Sequence, residues 1–210
     1  MKILMVSDIH SDYNAARASY SSQNPDYVLD CGDHTDLKNL FEFVPHFYVN
    51  GNHEPDEILV PEDQMPLPNK ISPGQTIVLK DPDTSKDYTV RVAGLDGNYT
   101  DSSKDYAVTI ENIEKLERIE KGDLDILLTH ESPVLATNNP KYKYMANKVI
   151  AQIDRIKPKY VFSGHRNKFD DTLFTPGKVP NIVLEDMVKG YCVLHVGDEY
   201  RLERVRCRFG

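Results

Sequence analysis

The sequence predicts an α/β fold, and we expect residues 1–210 to form a single domain. Its length of 210 residues is typical of one domain, and 40% hydrophobic beside 28% charged residues is the mixture found in folded water-soluble proteins. In the first half of the chain, short apolar runs bounded by turn residues alternate with segments of helical periodicity. That alternation favours parallel pairing of the strands.

Short apolar runs with the length and boundaries of strands recur along the chain. They are Ile3–Val6, Tyr27–Leu29, Phe47–Val49, Thr89–Ala93, Ile126–Leu128, Tyr160–Phe162, Ile182–Leu184 and Tyr191–Val196. The proline-rich segment Pro61–Asp87 is expected to be a long surface loop, in which Thr76–Leu79 is the one candidate strand. The predicted helices are a segment capped by Asp12 that continues to Tyr20, Leu37–Val44 capped by Asp36, Thr109–Glu120 and Lys141–Ile156. From about residue 180 onward we expect antiparallel strands, with a hairpin at 196–200.

Charge and composition limit the classes of partner. The net charge of −8 argues against binding to duplex nucleic acid, which depends on Lys and Arg neutralising phosphates. A small phosphorylated substrate stays open, because clustered carboxylates can hold cations that attract phosphate. The three cysteines share no CxxC spacing, and no apolar stretch is long enough for a membrane helix or a secretory signal. We therefore expect a cytoplasmic protein without membrane partners.

Polar clusters follow several of the predicted strands directly. They are Asp8-Ile9-His10, Gly32-Asp33-His34-Thr35-Asp36, Gly51-Asn52-His53-Glu54, Thr129-His130 and Gly164-His165-Arg166-Asn167. Because the carboxyl ends of parallel strands meet at one edge of a sheet, these clusters can converge there. Carboxylate, imidazole and amide oxygen are ligands for divalent metals such as Mn, Fe, Zn or Co. The pattern predicts a metal site without cysteine.

The order D-x-H, G-D-x-x-D, G-N-H-E, an isolated His and G-H resembles the calcineurin-like metallophosphoesterases. The resemblance extends from Asp8 to about Asn167. It implies an α/β fold built as a two-layer β-sandwich flanked by helices, with four layers in the order α/β/β/α. It also implies two divalent metal ions at the strand ends, for which Mn is our first expectation and Fe, Zn, Co, Ni or Mg are alternatives.

The same resemblance implies a role for each motif residue. Asp33 would bridge the two ions, Asp8 and His10 would complete most of one site, and the other site would contain Asn52, His130 and His165. His53 is similar to the histidine of the family that donates a proton to the leaving oxygen, and Asp36 to the aspartate that orients it. A charged imidazole beside a leaving alkoxide can act as a general acid.

The last motif departs from the family pattern. Where the family usually has G-H-x-H, this chain has Asn167 in place of the second histidine. An amide oxygen is a weaker ligand for a transition metal, so we expect the ion held by Asp8 and His10 to bind less tightly or to be a different ion. Next to His165, Arg166 could bind a substrate phosphate oxygen or form a surface salt bridge.

The substrate that the resemblance favours is a phosphodiester, such as a cyclic nucleotide, attacked by a hydroxide that two metals generate. A phosphomonoesterase, a single-strand nuclease and a non-catalytic metal-binding scaffold for protein interactions are the alternatives. Leu37 occupies the position where protein serine/threonine phosphatases of the family carry Arg, which argues against that branch. The sequence leaves open whether the chain forms homo-oligomers.

Other polar residues receive structural interpretations. We expect His34 to face solvent, and His46 and His195 to be structural residues of apolar strands. Tyr99 and Tyr142 are expected to pack in the core or at a rim, although stacking on a nucleobase is the functional alternative.

Overall fold

The computed structural model describes residues 1–10, 12–34, 44–53, 69–100, 104, 106–166 and 168–207. Its strands are β1 Lys2–Val6, β2 Tyr27–Asp30, β3 His46–Tyr48, β4 Thr76–Lys80, β5 Thr89–Leu95, β6 Ile126–Glu131, β7 Tyr160–Gly164, β8 Asp170–Phe174, β9 Pro180–Val183, β10 Gly190–Val196 and β11 Tyr200–Arg206. They form a five-stranded sheet in the order β11-β10-β1-β2-β3 and a six-stranded sheet in the order β4-β5-β6-β7-β9-β8.

Parallel pairing dominates the centre of both sheets. In the first sheet β1, β2 and β3 are parallel, and β10 runs antiparallel to β1 and β11. In the second sheet β5, β6, β7 and β9 are parallel, while the edge strands β4 and β8 are antiparallel to their neighbours. The carboxyl ends of the parallel strands in each sheet therefore lie at one edge of that sheet.

The helices of the described residues are α1 Tyr13–Gln23, α2 Ile110–Lys115, α3 Pro133–Ala136 and α4 Lys143–Ile156, and a 3₁₀ helix at Leu116–Arg118 follows α2 directly. Asp12 caps α1, since its side chain accepts a hydrogen bond of 2.9 Å from the Ala15 amide. Thr109 caps α2 in the same way. None of these helices combines the length and the apolar character that a bilayer-spanning segment needs.

Alternation of side chains along the strands produces the layers. In β1, Ile3 and Met5 pack between the two sheets, whereas Leu4 packs on the outer face against α1. In β6, Leu128 belongs to the layer between the sheets, and Leu127 packs outward against α2 and α4. The predicted two-layer β-sandwich flanked by helices is thereby confirmed.

Several sequence expectations need correction. The segment predicted as one helix at Thr109–Glu120 is split into α2 and the 3₁₀ helix. The C-terminal segment is not antiparallel throughout, because β9 pairs in parallel with β7. The strand at Asp170–Phe174 was not predicted, since its exposed edge position leaves it few apolar residues. The predicted helix Leu37–Val44 lies, apart from Val44, outside the described residues.

Candidate metal centre

Backbone hydrogen bonds bring the loops after β1, β2 and β7 together. The Asp8 amide donates to the Gly32 carbonyl at 2.9 Å, and the His10 amide donates to the Asp33 carbonyl at 2.8 Å. The His165 amide donates to Asp8 Oδ2 at 2.8 Å. Because the two loops of the first sheet are tied to each other and to a loop of the second sheet, the polar clusters meet between the sheets.

The backbone at this meeting point is unusual. Asp8, His10, Asp33 and His165 have φ values of 53°, 48°, 61° and 62°, in the left-handed region that residues other than glycine seldom adopt. Such conformations cost free energy and cluster at functional sites, where the surrounding structure holds them. Here they turn each loop sharply at the end of its strand, so that the side chains of the polar clusters face one another.

Two groups of side chains have the arrangement that a cation needs. Asp33, His130 and His165 offer ligand atoms that all lie within 4.8 Å of one another, and so do Asp8, His10 and Asp33. Asp33 belongs to both groups. We name the first set the Asp33 cluster (Asp33, His130, His165) and the second the Asp8 group (Asp8, His10, Asp33).

Asp33 is held as an ionised carboxylate. Its Oδ1 accepts hydrogen bonds from the Asn52 amide at 2.8 Å and the His53 amide at 2.9 Å, and lies 3.4 Å from His130 Nε2. Burial acts to raise the pKa of Asp33, but the interactions with His130 and these two amides outweigh it and hold the pKa well below its usual range. A charged carboxylate shared by two groups is the ligand that two neighbouring cations require.

His130 is oriented by the main chain. Its Nδ1 lies 2.7 Å from the Cys31 carbonyl, which can only accept, so Nδ1 carries the hydrogen. In the neutral ring the lone pair of Nε2 then faces Asn52 Oδ1 at 3.2 Å and Asp33 Oδ1 at 3.4 Å. When Nε2 carries a proton it can donate to Asp33, which is the interaction that lowers the pKa of that carboxyl. Without that proton, a cation can bind among the imidazole nitrogen and the two oxygens. The nitrogen and oxygen donors present therefore fit a metal ion.

Burial sets the protonation of the two remaining buried ligands. It lowers the pKa of His165 to about 4, with His130 as a further cause, so this ring is neutral at pH 7 and able to bind a metal. Burial also raises the pKa of Asp8, although the Ser7 hydroxyl donates to Asp8 Oδ2 at 2.5 Å. A cation in the Asp8 group would favour the ionised form of that carboxyl.

Glycine is required where these loops pack most closely. A Cβ on Gly51 would collide with the Asp33 carboxylate and with the His130 ring, and a Cβ on Gly164 would collide with the Ser7 side chain and lie 2.6 Å from Asp8 Oδ2. The glycines of the motifs therefore make room for the ligands next to them.

Of the remaining predicted site residues, the structure describes His53 and Arg166. His53 is exposed, with its ring centroid 5.7 Å from that of His10. Arg166 is half-exposed, and its Nη2 lies 3.5 Å from Glu131 Oε1. Asp36, predicted to orient His53, and Asn167, predicted as a weak metal ligand, lie outside the described residues.

Two residues that contact the site received no role from the sequence. Asn98 Nδ2 donates to Asn52 Oδ1 at 2.7 Å and lies 3.2 Å from His165 Nδ1. Glu131, which follows His130, accepts from the Tyr99 amide at 2.9 Å. Asn98 was detectable, because Asp96-Gly97-Asn98 directly follows β5, as the other polar clusters follow their strands.

The expectation that His34 faces solvent is wrong. The side chain is 0% exposed, and its Nδ1 lies 3.2 Å from Asp30 Oδ2. His46 Nε2 approaches the same oxygen at 3.3 Å. The left-handed turn at Gly32 and Asp33 directs His34 back toward β2 and β3, where its ring packs edge-on against Tyr48 with a centroid distance of 4.5 Å. We name these buried residues the Asp30 cluster (Asp30, His34, His46).

Solved structures share this fold at low sequence identity. GAP50, the anchor in the inner membrane complex of Plasmodium, is similar with a TM-score of 0.68 and 13% identity over 100% of this chain and 85% of that one. TT1561 of Thermus thermophilus is similar with a TM-score of 0.63 and 16% identity over 99% of both chains. Thermus thermophilus sulfate thiohydrolase SoxB in complex with glycerol gives a TM-score of 0.57 and 12% identity over 96% of this chain and 43% of that one.

At 12% to 16% identity these neighbours establish the fold alone. No curated protein matches the chain in sequence. The model of the calcineurin-like phosphoesterase superfamily domain, in contrast, matches residues 1–199. That match covers all of the polar clusters that converge at the candidate metal centre, and the chain therefore belongs to the calcineurin-like phosphoesterase superfamily.

Proposed function

We propose that the protein is a metal-dependent phosphoesterase that hydrolyses a phosphodiester with two divalent cations, of which Mn²⁺ is the first choice. The observation that carries the proposal is the position of Asp33, whose ionised carboxylate belongs to two ligand groups at once. One cation would be held by the Asp33 cluster together with Asn52, and the other by the Asp8 group. Two cations bound there would supply an activated water and stabilise charge on the phosphate oxygens.

Arg166 would help to hold the substrate phosphate. Its side chain is half-exposed at the edge of the site. The carboxyl group of Glu131 lies beside it and offsets part of its positive charge. The contact of 3.5 Å is long for an ion pair, and water screens it because the Arg166 side chain is 47% exposed. The guanidinium would then be available to donate to a phosphate oxygen.

His53 would protonate the leaving oxygen. Its amide is fixed to Asp33 Oδ1, which keeps the residue at the centre, while its exposed ring can reach a bound substrate. Asp36 would keep the imidazole charged and turned toward the leaving group, as the family motif implies. General-acid assistance matters most when the leaving group is a poor one.

The compartment we propose is the cytoplasm. The described cysteines, Cys31, Cys192 and Cys207, are all free thiols. Burial raises the pKa of Cys31 well above its ordinary value and that of Cys192 to about 12, so both thiols stay protonated. Free, unreactive thiols are compatible with a reducing compartment.

The test is hydrolysis of bis(p-nitrophenyl) phosphate and p-nitrophenyl phosphate by protein stripped with a chelator and reloaded with Mn²⁺. We expect the diester to be hydrolysed only by the reloaded protein. The variant His53→Ala should lose roughly 10²-fold in kcat on an alkyl ester and less on the nitrophenyl ester, whose leaving group needs little protonation. The variant His195→Ala, altered on β10 in the same way, is the control.

Three results would contradict parts of this proposal. Hydrolysis of the monoester alone would favour a phosphomonoesterase. Salt-sensitive cleavage of single-stranded oligonucleotides would favour a nuclease. Tight binding of Mn²⁺ without hydrolysis of any ester would favour a non-catalytic scaffold.

A further inference from the structure

A cavity of about 450 Å³ has Tyr99, the residue after Asn98, in its wall. Its walls come from the loop after β5, from the start of α2 and from the start of α4. Apolar side chains line it (Val108, Ile110, Met145), together with two tyrosines and one lysine (Tyr99, Tyr142, Lys141). Its volume and mixed lining are typical of sites for small organic molecules. We name it the Tyr99–Met145 cavity.

Two connections join this cavity to the metal centre. Tyr99 directly follows Asn98, whose Nδ2 lies 2.7 Å from Asn52 Oδ1 and 3.2 Å from His165 Nδ1. The Tyr99 amide donates to Glu131, which follows His130 and lies 3.5 Å from the Arg166 guanidinium. Consecutive residues are only about 3.8 Å apart along the chain. The cavity wall at Tyr99 therefore begins one residue along the chain from Asn98, which contacts Asn52 and His165.

The lining specifies the chemistry of the occupant. Tyr99 is 4% exposed, and its buried hydroxyl has no hydrogen-bond partner within the described part of the chain. Burial raises the pKa of Tyr99 well above its ordinary value, so this hydroxyl keeps its proton and can donate. Lys141 Nζ lies 5.4 Å from the centroid of the Tyr142 ring. Apolar walls with a tyrosine ring and a cation beside it suit an apolar aromatic group that carries a hydrogen-bond acceptor.

We propose that the Tyr99–Met145 cavity binds the organic ester group of the phosphoester, and that this group is an aromatic ring such as an aryl group or a nucleobase. The inference rests on the proposed function, since it assigns the substrate class of the same site. It means that the metal centre binds the phosphate and the cavity selects the ester. Substrates with a small alkyl group would then bind less well than aromatic ones.

Binding of phosphonates tests this without any reaction, because their carbon–phosphorus bond is not hydrolysed. Inorganic phosphate, methylphosphonate and phenylphosphonate would be titrated calorimetrically into the Mn²⁺-loaded full-length protein. We expect phenylphosphonate to bind at least about tenfold more tightly than methylphosphonate, from burial of its ring. Equal affinities of the two phosphonates, with phosphate still bound, would overturn the inference alone. Failure of phosphate itself to bind would contradict the proposed function, and the inference would fall with it.

Variants locate the effect in the cavity. Met145→Trp would fill it and should reduce the affinity for phenylphosphonate to that for methylphosphonate, while the affinity for phosphate stays unchanged. Tyr144→Trp is the matched control, because this neighbour on α4 is 66% exposed and does not line the cavity. Ile110→Trp, at the start of α2, fills the cavity from the other side and replaces Met145→Trp if that variant fails to fold.

The chain contains no tryptophan, so each introduced indole gives an unambiguous fluorescence signal. Because the indole of the Ile110→Trp variant occupies the cavity, we expect its emission to stay unaltered when phenylphosphonate or phosphate is added. A preference for phenylphosphonate that survives both filling variants would place the ring elsewhere and overturn the inference.

Discussion

The Asp30 and Asp33 clusters each contain one aspartate and two histidines. Their two aspartates lie on either side of Gly32 in the chain. In the Asp30 cluster, His34 and His46 both approach one oxygen of a fully buried carboxylate, so each ring has a partner for one of its nitrogens. In the Asp33 cluster, His130 Nε2 faces two acceptor oxygens, and Asp33 is shared with the exposed His10. Residue composition is therefore not what distinguishes a structural cluster from a candidate metal site. The difference is that the Asp33 carboxylate also belongs to a second group of possible ligands.

The largest expected difference between the clusters is in activity. Asp33→Asn removes the charge common to both cation groups, so we expect kcat to fall roughly 10³-fold and Mn²⁺ binding to be lost. Asn tolerates the left-handed backbone at this position, which should keep the fold intact. Asp30→Asn is the matched control, and it should retain two bound Mn²⁺ ions and most of the activity. Ester hydrolysis measures the activity, and calorimetric titration measures the binding of Mn²⁺. Unchanged activity in Asp33→Asn would contradict the proposal that Asp33 bridges the two cations.

The difference should be much smaller when stability is measured instead. Burial acts to raise the pKa of Asp30, but its interactions with His34 and His46 outweigh this and hold the pKa at about 2. Asp30→Asn removes a buried charge from two partners, and we expect the free energy of unfolding of the metal-free protein to fall by about 3 kcal/mol. Asp33→Asn should cost a similar amount, because Asp33 is also buried and its pKa is also held well below its usual range. Urea denaturation in the presence of a chelator measures both, and a loss confined to Asp30→Asn would mean that Asp33 does not stabilise the metal-free fold.

The Asp30 cluster also predicts how stability depends on pH. Burial lowers the pKa of His46 below its ordinary value of 6.5, and the pKa of Asp30 lies below its ordinary value of 3.8. Both groups bind fewer protons in the folded chain than in the unfolded one, so acidification favours unfolding. The loss should begin as the pH falls below about 6.5 and continue, through Asp30, from about 3.8 to about 2. The share of Asp30, about 2 kcal/mol, should be absent from Asp30→Asn in denaturation curves compared at successive pH values.

A smaller effect is expected at Asn98, which supports the Asp33 cluster without belonging to it. Asn98→Ala removes the donor that holds Asn52 Oδ1 and the His165 ring, so we expect one of the two Mn²⁺ affinities to weaken about tenfold. The affinity of the Asp8 group should be unchanged. Asn112→Ala makes the same chemical change on α2, and its calorimetric titration should match that of the parent. Equal weakening of both sites would show that Asn98 supports the fold rather than one metal.

Local sequence was sufficient for the parts of the fold that depend on neighbouring residues. The apolar run before Asp8 and the run before His130 predict their strands, and Asp12 predicts the start of α1, because each signal is contained within a few residues. The polar residues after the strands were found by the same local rule. What brings them together is parallel pairing within each sheet, which the alternation of strands and helices predicts, and hydrogen bonds between the loops, which no single segment specifies.

Long-range geometry accounts for what was missed. The burial of His34 depends on a left-handed turn at Gly32 and Asp33 that no local pattern specifies. The parallel pairing of β9 with β7 depends on the order of strands in the finished sheet. Asn98 belongs to none of the family motifs, so the resemblance implied no role for it. A polar residue at the end of a strand can thus contact the site whether or not a motif includes it.

The smallest expected effect comes from a histidine and a carboxylate that meet at the surface. His195 Nε2 on β10 lies 3.3 Å from Glu203 Oε2 on β11, with the two side chains 31% and 49% exposed. Water screens this pair, so Glu203→Gln should change the free energy of unfolding by about 0.5 kcal/mol or less and leave Mn²⁺ binding unaltered. We therefore expect a histidine–carboxylate pair to add little stability when solvent surrounds it. A loss in urea denaturation comparable with that of Asp30→Asn would mean that burial is not what separates the two clusters from an ordinary surface contact.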